Sequence, residues 1–200
     1  MRLNRQISRL LAAAAVLALA ACTAAPVPKD QFYRLTAGAP ASTAASSVLD
    51  GVLMIDRPIA DGVYSERALV LSRAHDRSMV EQYHYHYWAE PPASMLQQQM
   101  VDFFRAAGLA RQIVTPELRV RNDFALTSKI RRMERVIDGA RPMVALEIEF
   151  ALHNYRDNKL ILLETYSEEV AAGSDGMGDA ISAIDAALTA ILNRFLADAG

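Results

Sequence analysis

PMVALEIEFALHNY (residues 142–155), RDN (156–158) and KLILLETYSEEVA (159–171) form the most strongly patterned stretch of this 200-residue chain. Leu146, Ile148 and Phe150 alternate with Glu147 and Glu149, a period of two that puts the apolar side chains on one face of a strand and the carboxylates on the other. Arg156, Asp157 and Asn158 between the segments read as a polar hairpin turn. Two long antiparallel strands follow, and their apolar face needs a cover.

The cover is legible on both sides. Downstream, Ile181, Ile184, Leu188, Ile191, Leu192 and Phe195 recur at three- and four-residue spacing, one helical stripe introduced by a loop of N-cap candidates from Gly173 to Gly176. Upstream, Pro91 and Pro92 open a second helix whose broad face carries Met95, Leu96, Met100, Phe103 and Phe104, and Gly108 sits where a C-terminal glycine would stop it. Shorter strands are expected at 31–35, 48–57, 68–72, 79–88, 113–120 and 124–136. The order strands, helix, long strands, helix predicts an α+β domain, a mostly antiparallel sheet with two helices packed on one face.

At the N-terminus, Arg2, Arg5 and Arg9 precede the uncharged run from Leu10 to Leu19, which is too short for a membrane span of about 20 residues. Leu19-Ala20-Ala21-Cys22 then resembles a lipobox, with cleavage between Ala21 and Cys22 and acylation of the cysteine thiol. Burial of acyl chains contributes about 0.8 kcal/mol per CH₂, so several chains hold a protein on a bilayer. Residues 1–21 are therefore read as a removed lipoprotein signal peptide, 22–30 as the lipidated cysteine and a flexible tether, and 31–200 as a single periplasmic domain. Within the domain, 36–47 (TAGAPASTAASS) is expected to be a flexible loop that does not pack. Thr23 stands where an aspartate would resemble an inner-membrane retention signal, which favours the periplasmic face of the outer membrane.

Cleavage would leave 18 basic against 23 acidic residues, which excludes a general nucleic-acid binder. With the single cysteine acylated, no thiol remains for a disulfide. The segment from Tyr83 to Trp88 (YHYHYW) would place His84 and His86 on one strand face and the tyrosines on the other, but a zinc site needs three or four ligands and none stands at a matching spacing. Glu147 and Glu149 lack a partner base and read as a solvated face. The basic run Lys129, Arg131, Arg132 and Arg135 reads as the wet side of an edge strand, or as a contact for lipid head groups. No catalytic constellation, cofactor site or metal site is expected.

The stretch HYHYWAEPPASMLQQQMVDFFRAAG (84–108), with Trp88-Ala89-Glu90-Pro91 following an aromatic strand that includes Tyr85 and Tyr87, resembles the ABC-type transport auxiliary lipoproteins, the PqiC-like group. Gln31-Phe32-Tyr33-Arg34-Leu35 resembles their first strand, and Asp61 to Arg67 a turn that many members carry. The resemblance implies a non-enzymatic protein at the outer membrane. It would serve a mammalian-cell-entry (MCE) domain protein, a permease and an ATPase that move lipids, and would work as a ring of several copies. Trp88, Glu90, Pro91, Tyr85 and Tyr87 are the candidate partner-contact or motif residues. Two other readings stay open: an envelope-assembly lipoprotein that binds outer-membrane proteins, and an anchored hydrolase built on His84 and His86.

Overall fold

The structure, a computed structural model, describes residues 27–44, 46–137, 139 and 142–200. Ala21 and Cys22, and with them the expected signal peptide and anchor, lie outside the described residues. The chain forms strands β1 (Gln31–Tyr33), β2 (Leu49–Ile55), β3 (Ile59–Ala60), β4 (Ala68–Arg73) and β5 (Asp76–Trp88), then helix α1 (Pro92–Ala107). After α1 come β6 (Ala110–Val114), β7 (Phe124–Ile137), β8 (Met143–Asn154), β9 (Lys159–Ala171) and helix α2 (Met177–Asp198).

β7 organises the sheet. Along one edge it pairs antiparallel with β8, from Phe124↔Asn154 to Val136↔Met143. Along the other it takes β2, β3 and β4 in turn, all parallel, at Phe124–Leu126, at Lys129 and Ile130, and at Glu134–Ile137. β2, β3 and β4 thus form one discontinuous strand. Pro58, which has no N–H to donate, separates the first two pieces. A 3-10 turn at Gly62–Ser65, entered through Gly62 at φ +56, separates the last two.

This arrangement corrects the expected mostly antiparallel sheet. Of the eight pairings five are parallel, β1 with β5 and β2 with β6 among them, so the nine-stranded sheet is mixed. The physical reason is that α1 carries the chain back before β6 and β7, so both re-enter the sheet in the direction of β2, whereas short turns impose reversal only at β4–β5, at β7–β8 and at the 156–158 hairpin. The strand expected at 113–120 lies instead at Ala110–Val114 and shares only residues 113 and 114 with that expectation, because Pro116 opens a 3-10 turn at Pro116–Leu118.

Both helices lie on one face. The Phe195 ring of α2 is 5.2 Å from Phe104 of α1 and 4.9 Å from Phe150 of β8, so three elements meet at one fully buried aromatic cluster. By length and composition α2 could cross a membrane, but its apolar stripe packs on β8 and β9. α1 ends as its glycine predicts: Gly108 adopts φ +74 and donates its N–H to the Arg105 carbonyl, a left-handed cap. A register shift between Ile130 and Arg132 reverses the alternation of β7. Ile130 faces Ile148 before it, Met133 faces Leu146 after it, and Glu134 falls on the opposite face.

The segment expected to be an unpacked loop has no regular structure, yet it is strapped along α2. Thr36, Gly38 and Ala41 donate their backbone N–H groups to Asp185 Oδ1, Thr189 Oγ1 and Asn193 Oδ1, each at 2.8 Å, while Ala37 donates to Gln99 Oε1 and Ala44 to the Ala107 carbonyl. Asp185, Thr189 and Asn193 recur every four residues, so they stand on one stripe of α2 and catch the extended strap at successive turns. Gly38 fits because a Cβ there would stand 3.3 Å from Thr189.

Candidate functional site

The junction from β5 to α1 gathers the motif residues. Trp88, the last residue of β5, is 2% exposed and belongs to the main core. Its backbone is held on both sides: the Trp88 N–H donates to the Arg67 carbonyl at 2.7 Å, and Arg67 Nε donates to the Trp88 carbonyl at 3.0 Å. The next N–H, of Ala89, donates to the Tyr33 carbonyl at 2.6 Å, which fastens β1 to the start of the turn. Pro91 at φ −54 and ψ 136 closes the turn, and Pro92 opens α1, where a missing N–H costs no helical bond.

β1 lies parallel to β5 with Gln31, Phe32 and Tyr33 opposite His86, Tyr87 and Trp88. Pairing in register puts Phe32 with Tyr87 on the outer face, rings 5.8 Å apart, and Tyr33 with His86 on the inner face. The Tyr33 hydroxyl is 2.8 Å from His86 Nδ1, and burial pushes its pKa up. The expected division of the YHYHYW segment, histidines on one face and tyrosines on the other, does not hold. β4 and β5 change register between Val70↔Gln82 and Ala68↔Tyr87, and this bulge brings Tyr83 to the side of His86, edge to face at 5.4 Å. Arg135 Nη1 donates to the Tyr83 hydroxyl at 3.1 Å and Nη2 to the Asp175 carbonyl at 2.9 Å, so this inner network runs from β1 to the loop before α2.

Of the five candidate contact residues, the fold brings together Trp88, Glu90 and Pro91 at the turn, sets Tyr87 against Phe32 on the outer strand face, and leaves Tyr85 two residues before Tyr87 on β5. Trp88 is inside, and Glu90, Pro91 and Tyr85 are exposed, with Tyr87 between. Glu90 rims an open cleft of about 420 Å³ whose other walls include Arg34, Arg57, Ser94, Gln98 and Glu117. The cleft carries both signs of charge, with amide and hydroxyl groups and the apolar Leu35 and Met95 between them. Hydrogen bonding by Thr115, with help from Arg57, lowers the Glu117 pKa, so Glu117 stays ionised there. A second notch of about 370 Å³ lies on the outer face between Asp30, Phe32, Arg67 and Tyr87.

The basic run of β7 and Glu149 are held in ion pairs. Arg131 pairs with Glu149, Lys129 with Asp61 at 2.6 Å, and Arg132 with Glu134 at 2.7 Å and Glu169 at 3.7 Å. Glu134 is 2% exposed and also accepts from the Tyr64 hydroxyl at 2.5 Å and the Ser72 hydroxyl at 2.9 Å. Burial and the Glu134 carboxylate together push the Tyr64 pKa up. Among the described residues no group of three or more histidine, cysteine or acidic side chains is placed to hold a metal. Sequence reasoning missed Arg67, which holds Trp88, and Tyr33, whose carbonyl holds Ala89; both stood inside quoted motifs, but only the folded arrangement shows what they touch.

Comparison with known proteins bears on the whole of this framework. A crystal structure of protein XCC0632 from Xanthomonas campestris superposes with a TM-score of 0.71 at 20% identity, covering 83% of this chain and 92% of that one. A second crystal structure, of an uncharacterized protein, gives 0.67 at 13% identity over 86% and 100%. The PelC dodecamer of Paraburkholderia phytofirmans, at 0.47 and 12% identity over 79% and 93%, is too distant for an argument about assembly. No curated protein matches the chain. The family model for the ABC-type transport auxiliary lipoprotein component matches residues 33–195, from Tyr33 of β1 through Phe195 of α2 and across the Trp88 junction, and the chain belongs to that family.

Proposed function

We propose that this chain is a lipoprotein anchored through Cys22 to the periplasmic face of the outer membrane, where it serves as the non-catalytic auxiliary component of an ABC transporter of the MCE lipid-transport type. The observation that carries the reading is the family match, which spans the domain and describes an auxiliary transport lipoprotein. The lipobox-like Leu19-Ala20-Ala21-Cys22 supports the anchor. The candidate acids and bases of β7, β8 and β9 form ion pairs with one another, which suits a scaffold rather than a catalyst. In this role the domain holds the end of the MCE conduit at the outer membrane, several copies forming a ring, with the permease and ATPase acting at the other membrane. Glu90 and Pro91, exposed beside the polar cleft, are the contact residues for that partner, and Trp88 positions them from inside.

The test is an affinity capture of the detergent-solubilised protein from cell envelopes, wild type beside Cys22→Ala, with mass spectrometry of partners and of the N-terminal peptide. Recovery of an MCE protein together with an acylated Cys22 peptide is the expected result. An acylated protein that brings down only barrel or cell-wall proteins would replace this reading with envelope assembly.

A further inference from the structure

Among the described residues, no element covers the aromatic side chains on the outer face of β1 and the end of β5. Phe32 is 57% exposed, the half-buried Tyr87 ring stands 5.8 Å from it, the Arg67 guanidinium lies 5.4 Å from the centre of the Phe32 ring, and Tyr85, two residues before Tyr87 on β5, is 40% exposed. Beside them is the notch between Asp30 and Tyr87. From this placement we propose that the outer face of β1 and β5 is the surface on which the domain rests against the head-group layer of its own bilayer, with the aromatic rings at the interface and Arg67 toward lipid phosphate. The inference rests on the lipid anchor at Cys22 proposed above.

Three physical points converge on a bilayer as the occupant. The chain enters the domain at this face, since Phe32 stands ten residues after the cysteine. Eight residues, 23–30, reach at most roughly 28 Å even fully extended, so this face is held within a domain's width of the membrane. At such range the effective concentration of the surface is high, and contacts too weak to bind from solution suffice. Finally, phenylalanine and tyrosine with an arginine over the ring is the composition that suits an interface, apolar body in the acyl boundary and polar tip among head groups. A second exposed apolar patch, Tyr155, Leu160 and Leu163 at the β8–β9 hairpin, fits less well. It lies level with Phe124 to Thr127 across β8, whereas Ala68, opposite Tyr87, stands two residues before Val70, which meets β7 at Glu134, so the two patches are about five to eight residues, roughly 16–26 Å, apart along the strands and on opposite sides of β7.

The experiment uses the full acylated chain in vesicles of phosphatidylethanolamine and phosphatidylglycerol that contain a nitroxide head-group lipid. Because the mature chain has no free thiol, the variants Gln82→Cys, Tyr85→Cys and Leu163→Cys each take one fluorophore, and the emission of the buried Trp88 reports whether each variant is folded. Labels at 82 and 85 are expected to be quenched several-fold more strongly by the nitroxide lipid than the label at 163. Equal quenching at all three sites, or strongest quenching at 163, overturns the proposal. Weak lipid quenching at 82 and 85 combined with protection from a water-soluble quencher would mark a second protein on this face and overturns it too. Flotation separates the two readings: a chain that fails to float with vesicles sinks the anchor and this surface together, whereas a floating chain with the wrong label pattern sinks this surface alone.

Discussion

Replacing Asp185 by asparagine tests how the 36–44 strap is held. Asp185 is half-buried on α2 and accepts the Thr36 N–H at 2.8 Å; burial pushes its pKa up to about 6, and that hydrogen bond only partly offsets the effect. An acid whose folded-state pKa exceeds its unfolded value near 4 holds more protons folded than unfolded between the two values. Stability therefore falls as pH rises from about 4 to about 6 and is level above. Full desolvation would make that fall ~3 kcal/mol, but a half-open site is screened by water, which reduces it to ~1 kcal/mol. Asparagine keeps the acceptor oxygen for Thr36 and removes the charge. Asp185→Asn should match wild type at pH 4.5 and exceed it by ~1 kcal/mol at pH 7.5, or about 2–4 °C in Tm for a chain of this size. Thermal unfolding of both proteins at pH 4.5, 6 and 7.5 measures it. An Asn variant less stable than wild type at pH 7.5 would refute the reasoning, because the ionised carboxylate would then be what fastens the strap.

Three further outcomes follow from the same packing. Glu134→Ala should cost about 1–3 kcal/mol in urea unfolding, since it strips the Tyr64 and Ser72 hydroxyls of their buried acceptor while the half-buried Arg132 keeps Glu169, and Glu134→Gln should cost less because it keeps one acceptor oxygen. Phe195→Ala empties the centre of the Phe104, Phe150 and Tyr166 ring cluster and should cost about 3–5 kcal/mol by calorimetry. Gly108→Ala places a side chain at φ +74 and should lower the urea midpoint by the equivalent of ~1 kcal/mol with an unchanged slope.

What the sequence revealed and what it hid divide by the range of the cause. The β8–β9 hairpin, α1 with its two prolines and Gly108, and α2 are each specified by residues that touch one another across a few positions, and each stands where the pattern placed it. The parallel pairings are not of that kind. Lys129 beside Ile59 and Glu134 beside Val70 are separated by more than sixty residues of intervening chain, and alternation along β7 is the same whether its neighbour runs with it or against it. The strap was hidden for a different reason: TAGAPASTAASS has no apolar residue large enough to register as core, and it is held through backbone N–H groups, which every residue but proline carries. The polar triplet that catches it was visible at Asp185, Thr189 and Asn193, four residues apart, but on a surface helix such a stripe ordinarily faces water. For the candidate site the consequence is specific. Trp88 drew notice as a rare residue, yet its position depends on Arg67 and Tyr33, which approach from β1 and the end of the broken strand. Loss of the Arg67 side chain, which donates to the Trp88 carbonyl, should therefore displace Glu90 and Pro91, whereas the Tyr33 contact is made by its backbone carbonyl and survives a side-chain change. Under the proposed role, Arg67→Ala should weaken capture of an MCE partner even though Arg67 lies on the opposite, outer face of the junction.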